Sequence, residues 1–112
     1  MTTSTRPTVV CLCGSTRFRD QFAEANLALT LSGRIVLAPG VFAHADGVPI
    51  TDEEKTALDA LHLAKIDLAD EVFVVNVGGY VGASTTAEIA YATAHGKPVS
   101  YLETDDSQTG EA

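Results

Sequence analysis

Four short apolar runs, each separated from the next by a stretch of helical spacing, constrain this 112-residue chain more than any other feature. "TVVCLC" ahead of Gly14 predicts a strand over about 8–13, and "RIVLA" a strand over 34–38. "EVFVVNV" predicts a third over 71–77 and "PVSYL" a fourth over 98–102. Between the first two, Phe18, Phe22, Ala25 and Leu29 recur at helical intervals and Gly33 supplies a stop signal. Residues 51–69 open on Thr51 and Glu54 in capping-box positions, and Leu58, Leu61 and Leu68 predict an apolar stripe. Residues 85–95 predict a third helix, closed by Gly96. Strands that alternate with helices pair in parallel and bury both faces of the sheet under the crossovers. The expected fold is therefore one doubly wound, Rossmann-like or flavodoxin-like α/β domain over residues 1–102, with a four-stranded parallel sheet in the order 2-1-3-4. Residues 103–112, "ETDDSQTGEA", predict an acidic, disordered tail.

In such a sheet ligands bind beyond the carboxyl ends of the strands, where the strand order reverses. That rule selects the loops 14–18, 39–50 and 78–84. In "CGSTRF", Gly14, Ser15 and Thr16 lead from a strand into a helix, where free backbone N–H groups and Arg17 can hold an anion. The structural alternative is that Ser15 or Thr16 only caps the helix. Cys11 and Arg17 also stand in the C-x5-R spacing of the low-molecular-weight tyrosine phosphatases, which would make Cys11 a thiolate nucleophile. Against this, Phe18 replaces that family's serine or threonine, no Asp-Pro pair supplies an acid, and Cys11 falls inside the predicted strand.

The third loop carries the sharpest signal. Gly78, Gly79 and Gly82 let the backbone bend closely around a ligand, and Ser84, Thr85 and Thr86 crowd the following helix start with hydroxyls. Thr85-x-x-Glu88 matches a capping box, so Glu88 has two readings: a cap without chemistry, or a carboxylate aimed into a site. Asn76, ending the third strand, can bond a base or sugar or serve as a turn residue. Phe42, His44, Asp46 and Tyr80 are loop residues whose aromatic members could stack on a base or tuck onto the core.

A net charge of −8 argues against a nucleic-acid polymer or an anionic membrane surface as partner. No apolar run approaches membrane-spanning length. Cys11 and Cys13 are too close for a disulfide framework and share one face of a strand as small buried hydrophobes, which points to a reducing, cytoplasmic setting. No His/Cys/Asp cluster has ligand spacing in the sequence, so neither metal nor other cofactor is expected.

The stretch "LADEVFVVNVGGYVGASTTAEIAYATAHGKPVSYL" resembles the nucleoside 2-deoxyribosyltransferase superfamily, including its nucleotide N-glycosidase members. An Ala-Asp pair before a strand, a glycine-containing loop, a glutamate followed by apolar-x-Tyr-Ala, and a Gly-Lys strand entry carry the likeness, and "CGSTRF" is similar to the family's first-strand loop. The resemblance spans about residues 8–102. It implies cleavage of a base–sugar bond in a nucleoside or nucleotide, with Glu88 as nucleophile and the sugar or a 5′-phosphate held by the first-strand loop. It also implies a homodimer or higher homo-oligomer. Where the family places an aspartate, two turns before the Ala-Asp pair, this chain has His62, with Asp59 a turn earlier. Both are candidates for orienting Glu88 or a sugar hydroxyl. Asp67 and Asp70, at the far end of that helix, are expected to be structural. A binding or sensor module on the same fold is the competing class.

Overall fold

The computed structural model describes residues 6–104. Strand β1 (Val9–Gly14) is buried along nearly its whole length, as its apolar run requires. It pairs in parallel with β2 (Ile35–Leu37) on one side and β3 (Glu71–Val75) on the other, and β3 pairs with β4 (Val99–Tyr101). The sheet order is β2-β1-β3-β4, all parallel. Cys11 stands beside Leu37 in one neighbour and Val72 in the other.

The period-two alternation of strand side chains divides the core in two. Val10, Leu12 and Val75 face helix α1 (Arg19–Leu31) and pack with its Phe22 and Ala25. Val9, Cys11, Cys13, Val72 and Val74 face the opposite side. There they meet Ile66 of helix α3 (Asp52–Leu68) and Ala92 of helix α4 (Ala83–Ala94). Burial of a side chain such as Phe22, at 2% exposure, contributes about 1.5–3 kcal/mol.

The carboxyl ends of β1 and β3 lie at the reversal of strand order, and their backbones meet closely. A Cβ on Gly14 would lie 2.7 Å from the Val75 carbonyl oxygen, at a φ of +154° that side chains rarely adopt. Glycine is thus required there by the sheet itself, whatever binds nearby.

The local structure departs from the sequence reading at five places: the third strand, expected to run to residue 77, ends at Val75 and gives way to a 3-10 turn over Val77–Gly79, and the other four lie in the crossovers. The first crossover begins with a 3-10 turn over Thr16–Phe18, capped by Ser15, before α1 starts. The loop 39–50 contains a single helical turn, α2 (Ala43–Asp46), ended by Gly47 at positive φ. On α3 the capping box of Thr51 and Glu54 is present, but the apolar stripe is not the one expected. Leu61 and Leu68 are exposed, and the core-facing residues are His62 and Ile66. Selecting leucines by type hid the true face, which runs through Leu58, His62 and Ile66 at intervals of four. Finally, α4 begins at Ala83 with Gly82 as N-cap, and the Thr86 N–H already donates to the Gly82 carbonyl at 2.9 Å.

At the chain's other end, Glu103 is tied down. Its backbone exchanges two 2.9 Å hydrogen bonds with the Asn76 side chain, and its carboxylate accepts from the Gly78 N–H at 2.9 Å. The expectation of a disordered tail otherwise concerns 105–112, outside the described residues. No helix among the described residues is long and apolar enough to cross a membrane.

Candidate functional site

The earlier start of α4 decides what Glu88 is not. With Gly82 as N-cap, Thr85 is inside the helix and 3% exposed, and Glu88 falls in the second turn. A capping glutamate must sit at the third helical position to reach the N-cap backbone. The Thr85–Glu88 capping box therefore does not form. The hydroxyl that works at this helix end is that of Thr86, which donates to the Gly82 carbonyl at 2.9 Å.

Glu88 instead points from α4 across to α3. Its side chain is 13% exposed, and Oε1 lies 3.8 Å from Nε2 of His62, itself 9% exposed at the side chain. Beneath them, β1 presents two thiols from its α3/α4 face. Nε2 of His62 is 3.6 Å from Cys11 Sγ and 3.3 Å from Cys13 Sγ. Three elements thus converge on one point through Cys11 and Cys13, His62, and Glu88.

Burial sets the protonation of this group. It pushes Glu88 above the ordinary carboxyl range, against the opposing charge of His62. Burial also works against a charged imidazole, but Cys11 and Glu88 more than offset it and hold His62 above its usual value. Interaction with Cys11 and loss of solvent hold the Cys13 thiol well above the ordinary range, with the charge of Glu88 adding to both.

Glu88 and His62 form one wall of a cavity of about 530 Å³ at the carboxyl edge of the sheet. Of the residues selected from sequence, Gly14, Ser15, Thr16, Arg17, Asp59, Gly82, Ser84 and Thr85 line the same cavity. Ser15 Oγ accepts from the Arg17 backbone N–H at 3.3 Å and from its Nε at 3.1 Å. The Arg17 guanidinium lies 4.6 Å above the Tyr80 ring, a cation–π contact that holds it at the cavity rim. Thr16 Oγ1 and His44 Nδ1 are 2.9 Å apart. Asp59 accepts from Lys55 at 2.9 Å, and Lys55 also donates to Ser84 Oγ at 3.1 Å, linking α3 to α4 across the opening.

Asn76, Gly78 and Gly79 do not line the cavity; Asn76 and Gly78 are the residues that hold Glu103. Phe42 packs edge-on against Phe22 in the core at 5.3 Å, and Asp46 pairs with Arg19 at 3.4 Å. Asp67 and Asp70 lie at the opposite end of α3, where they accept from the Tyr91 hydroxyl at 2.7 Å and from the Val9 N–H at 2.8 Å. Cys11 is fully buried and absent from the cavity wall, which removes the exposed nucleophile a phosphatase loop requires.

No protein-family model matches this chain, and no curated protein matches it. Its chemistry has to be read from the site. A buried carboxylate facing an imidazole, beside a cavity rimmed by hydroxyls and cationic side chains, can stabilise or capture a cationic carbon. Sequence reasoning missed Lys55 and the place of the two thiols. Lys55 stands four residues before Asp59, a spacing that pairs charges on a helix face and could have drawn attention to it. Nothing local ties Cys13 to His62, 49 residues later.

Proposed function

We propose that the protein is a nucleoside or nucleotide N-glycosidase or deoxyribosyltransferase whose nucleophile is Glu88. The observation that carries the reading is that Glu88 caps nothing. It is a largely buried carboxylate that lines the cavity and faces His62, a costly arrangement for a residue with only a surface role. The resemblance of the chain to the deoxyribosyltransferase superfamily supports the same residue.

In this reading a Glu88 oxygen bonds to the anomeric carbon as the carbon–nitrogen bond breaks. The base leaves with that electron pair and takes a proton from solvent. Water, or a second base, then attacks the anomeric carbon and releases Glu88 as a carboxylate; the attacking group's proton goes to solvent. His62 acts as a positioning residue that favours the ionised form of Glu88 and fixes its orientation. Lys55, Asp59 and Ser84 are placed to bond sugar hydroxyls at the cavity mouth. Ser15, Thr16 and Arg17, with Thr85, hold the sugar or a 5′-phosphate. We further place the protein in a reducing, cytoplasmic compartment, on the ground of its free, buried thiols, and expect a homo-oligomer.

A non-catalytic nucleotide-binding module is the alternative, and the burial of Glu88 speaks for it, because loss of solvent disfavours the ionised form that a nucleophile needs. Incubation with a panel of nucleosides and 5′-monophosphates, with free base scored by chromatography, separates the two. Base release is expected from at least one member, and Glu88→Gln is expected to lower it by about 1,000-fold or more while ligand still binds. Binding without base release in the wild type would establish the alternative.

A further inference from the structure

The four groups that meet between β1, α3 and α4 form more than a nucleophile and its partner. We infer that Cys11 Sγ, Cys13 Sγ, His62 Nε2 and Glu88 Oε1 constitute a binding site for a thiophilic divalent cation of the zinc class, and that the bound ion switches the nucleophile off.

The donor set selects the ion. Two sulfurs, one imidazole nitrogen and one carboxylate oxygen suit zinc, whereas magnesium and calcium take oxygen ligands. For the two sulfurs and the imidazole the geometry is close to what a tetrahedral centre needs. Bonds of about 2.3 Å to sulfur and about 2.0 Å to nitrogen or oxygen place neighbouring ligand atoms roughly 3.3–3.8 Å apart. The imidazole nitrogen is 3.6 and 3.3 Å from the two sulfurs and 3.8 Å from the carboxylate oxygen. Both sulfurs and that nitrogen lie within 4.8 Å of one another; the Glu88 carboxylate stands just outside this trio, against His62, and completes the shell by swinging toward the sulfurs. The same ring nitrogen, Nε2, is the one that approaches all three partners.

Rigidity and access also fit. The thiols share one face of β1 because they are two residues apart, and β1 is hydrogen-bonded on both edges. The imidazole and carboxylate come from long helices packed on that face. Cys11 and Cys13 lie behind the cavity wall, while His62 and Glu88 form part of it. An ion therefore enters from the cavity, and the thiol protons it displaces leave the same way. With Glu88 drawn in as the fourth ligand the coordination shell is closed, so the ion takes up the Glu88 oxygen instead of activating water. Only this inhibitory consequence rests on the glycosidase reading; the metal site itself does not.

The test uses the full chain, reduced and stripped with a chelator, then titrated with Co²⁺ and afterwards with Zn²⁺. The expected result is one ion per chain, with thiolate-to-cobalt charge-transfer absorption and the intense visible bands of a tetrahedral centre, both lost as zinc displaces cobalt. Cys11→Ala, Cys13→Ala and His62→Gln should each weaken zinc binding by more than the roughly 10–100-fold that loss of an outer-shell partner costs. Wild-type protein without the charge-transfer band at stoichiometric cobalt would overturn the proposal without reference to any variant's folding. So would a band unchanged in the Cys11→Ala/Cys13→Ala double variant. If the wild type releases base, one equivalent of zinc should suppress that release and a chelator restore it; unimpaired turnover by the zinc-loaded protein would overturn the switch. A protein that releases no base still yields the cobalt spectrum, so failure of the glycosidase reading and failure of the metal site remain distinct.

Discussion

At the scale of single residues, Glu88 shows how one register shift changes a role. Three residues of displacement at the start of α4 turn a capping position into a buried one. The groups facing Glu88 are His62 and Asp59 from α3 and the two thiols from β1, and its carboxyl is held above its ordinary value, chiefly by burial. A carboxyl whose folded-state pKa is raised favours the fold in its neutral form. That contribution is complete below the unfolded pKa and is lost as pH rises through the folded value. Glu88→Gln keeps the neutral shape at every pH. It should therefore match wild-type stability in acid and equal or exceed it near neutral pH, as read by denaturant unfolding across a pH series. Base release, which needs the ionised form, should rise over the same interval in which the stability gap opens. A glutamine variant clearly less stable than wild type at pH 7 would contradict the burial argument.

At the scale of elements, the ends of the strands are secured differently. The amino end of β1 is held by Asp70, which follows α3 and accepts from the Val9 N–H at 2.8 Å and from the Arg6 guanidinium at 2.7 and 2.8 Å. The Arg6 hydrogen bond, with that of Val9, draws the Asp70 carboxyl from 3.8 to about 2. Here the folded-state pKa is depressed, so the stabilisation is present above 3.8 and is lost as pH falls through about 2. Asp70→Asn should be less stable than wild type near neutral pH, and the gap should close between those two values. With the Asp70 side chain 40% exposed, the effect should be modest and shrink in salt. Urea titrations at several pH values check it; a gap that persists unchanged at pH 2 would show that the charge is not its source. The carboxyl end of β3 is held instead by the clasp of the Asn76 side chain on the Glu103 backbone, with the Gly78 N–H donating to the Glu103 carboxylate.

At the scale of the molecule, burial is incomplete. Leu27 and Leu31 on α1 are 61% and 78% exposed, and Leu68 at the end of α3 is 69% exposed. A chain of this size buries a smaller share of its surface than a larger domain does, and association is one way to cover what remains. The proposed homo-oligomer should persist in light scattering at tens of micromolar, on the order of usual assay concentrations for a stable interface. A monomer mass there would rule it out. Stability measured at two protein concentrations supplies an independent reading, because an obligate assembly gains stability by mass action.

Much of this architecture is local in origin and was legible in the sequence. Apolar runs of strand length, helical repeats between them and glycine stops are set by side-chain periodicity within a few residues, and the parallel order follows from the short menu of connections. That residues of the first-strand and third-strand loops border the cavity follows from the same topology, as does the shared face of Cys11 and Cys13. What remained closed to sequence was rotation and register. Whether α3 turns Leu61 or His62 inward depends on how the whole helix lies on the sheet, and a histidine among leucines gives no periodic signal. Whether Thr85 caps α4 or is buried within it depends on where the helix starts, and it starts at Ala83 with Gly82 as N-cap. The meeting of His62 with Cys13, 49 residues earlier, and with Glu88 is a product of two crossovers landing on one face of the sheet. Periodicity acts over a turn or two of chain, whereas a site is made by packing across elements, and only the tertiary structure carries that information.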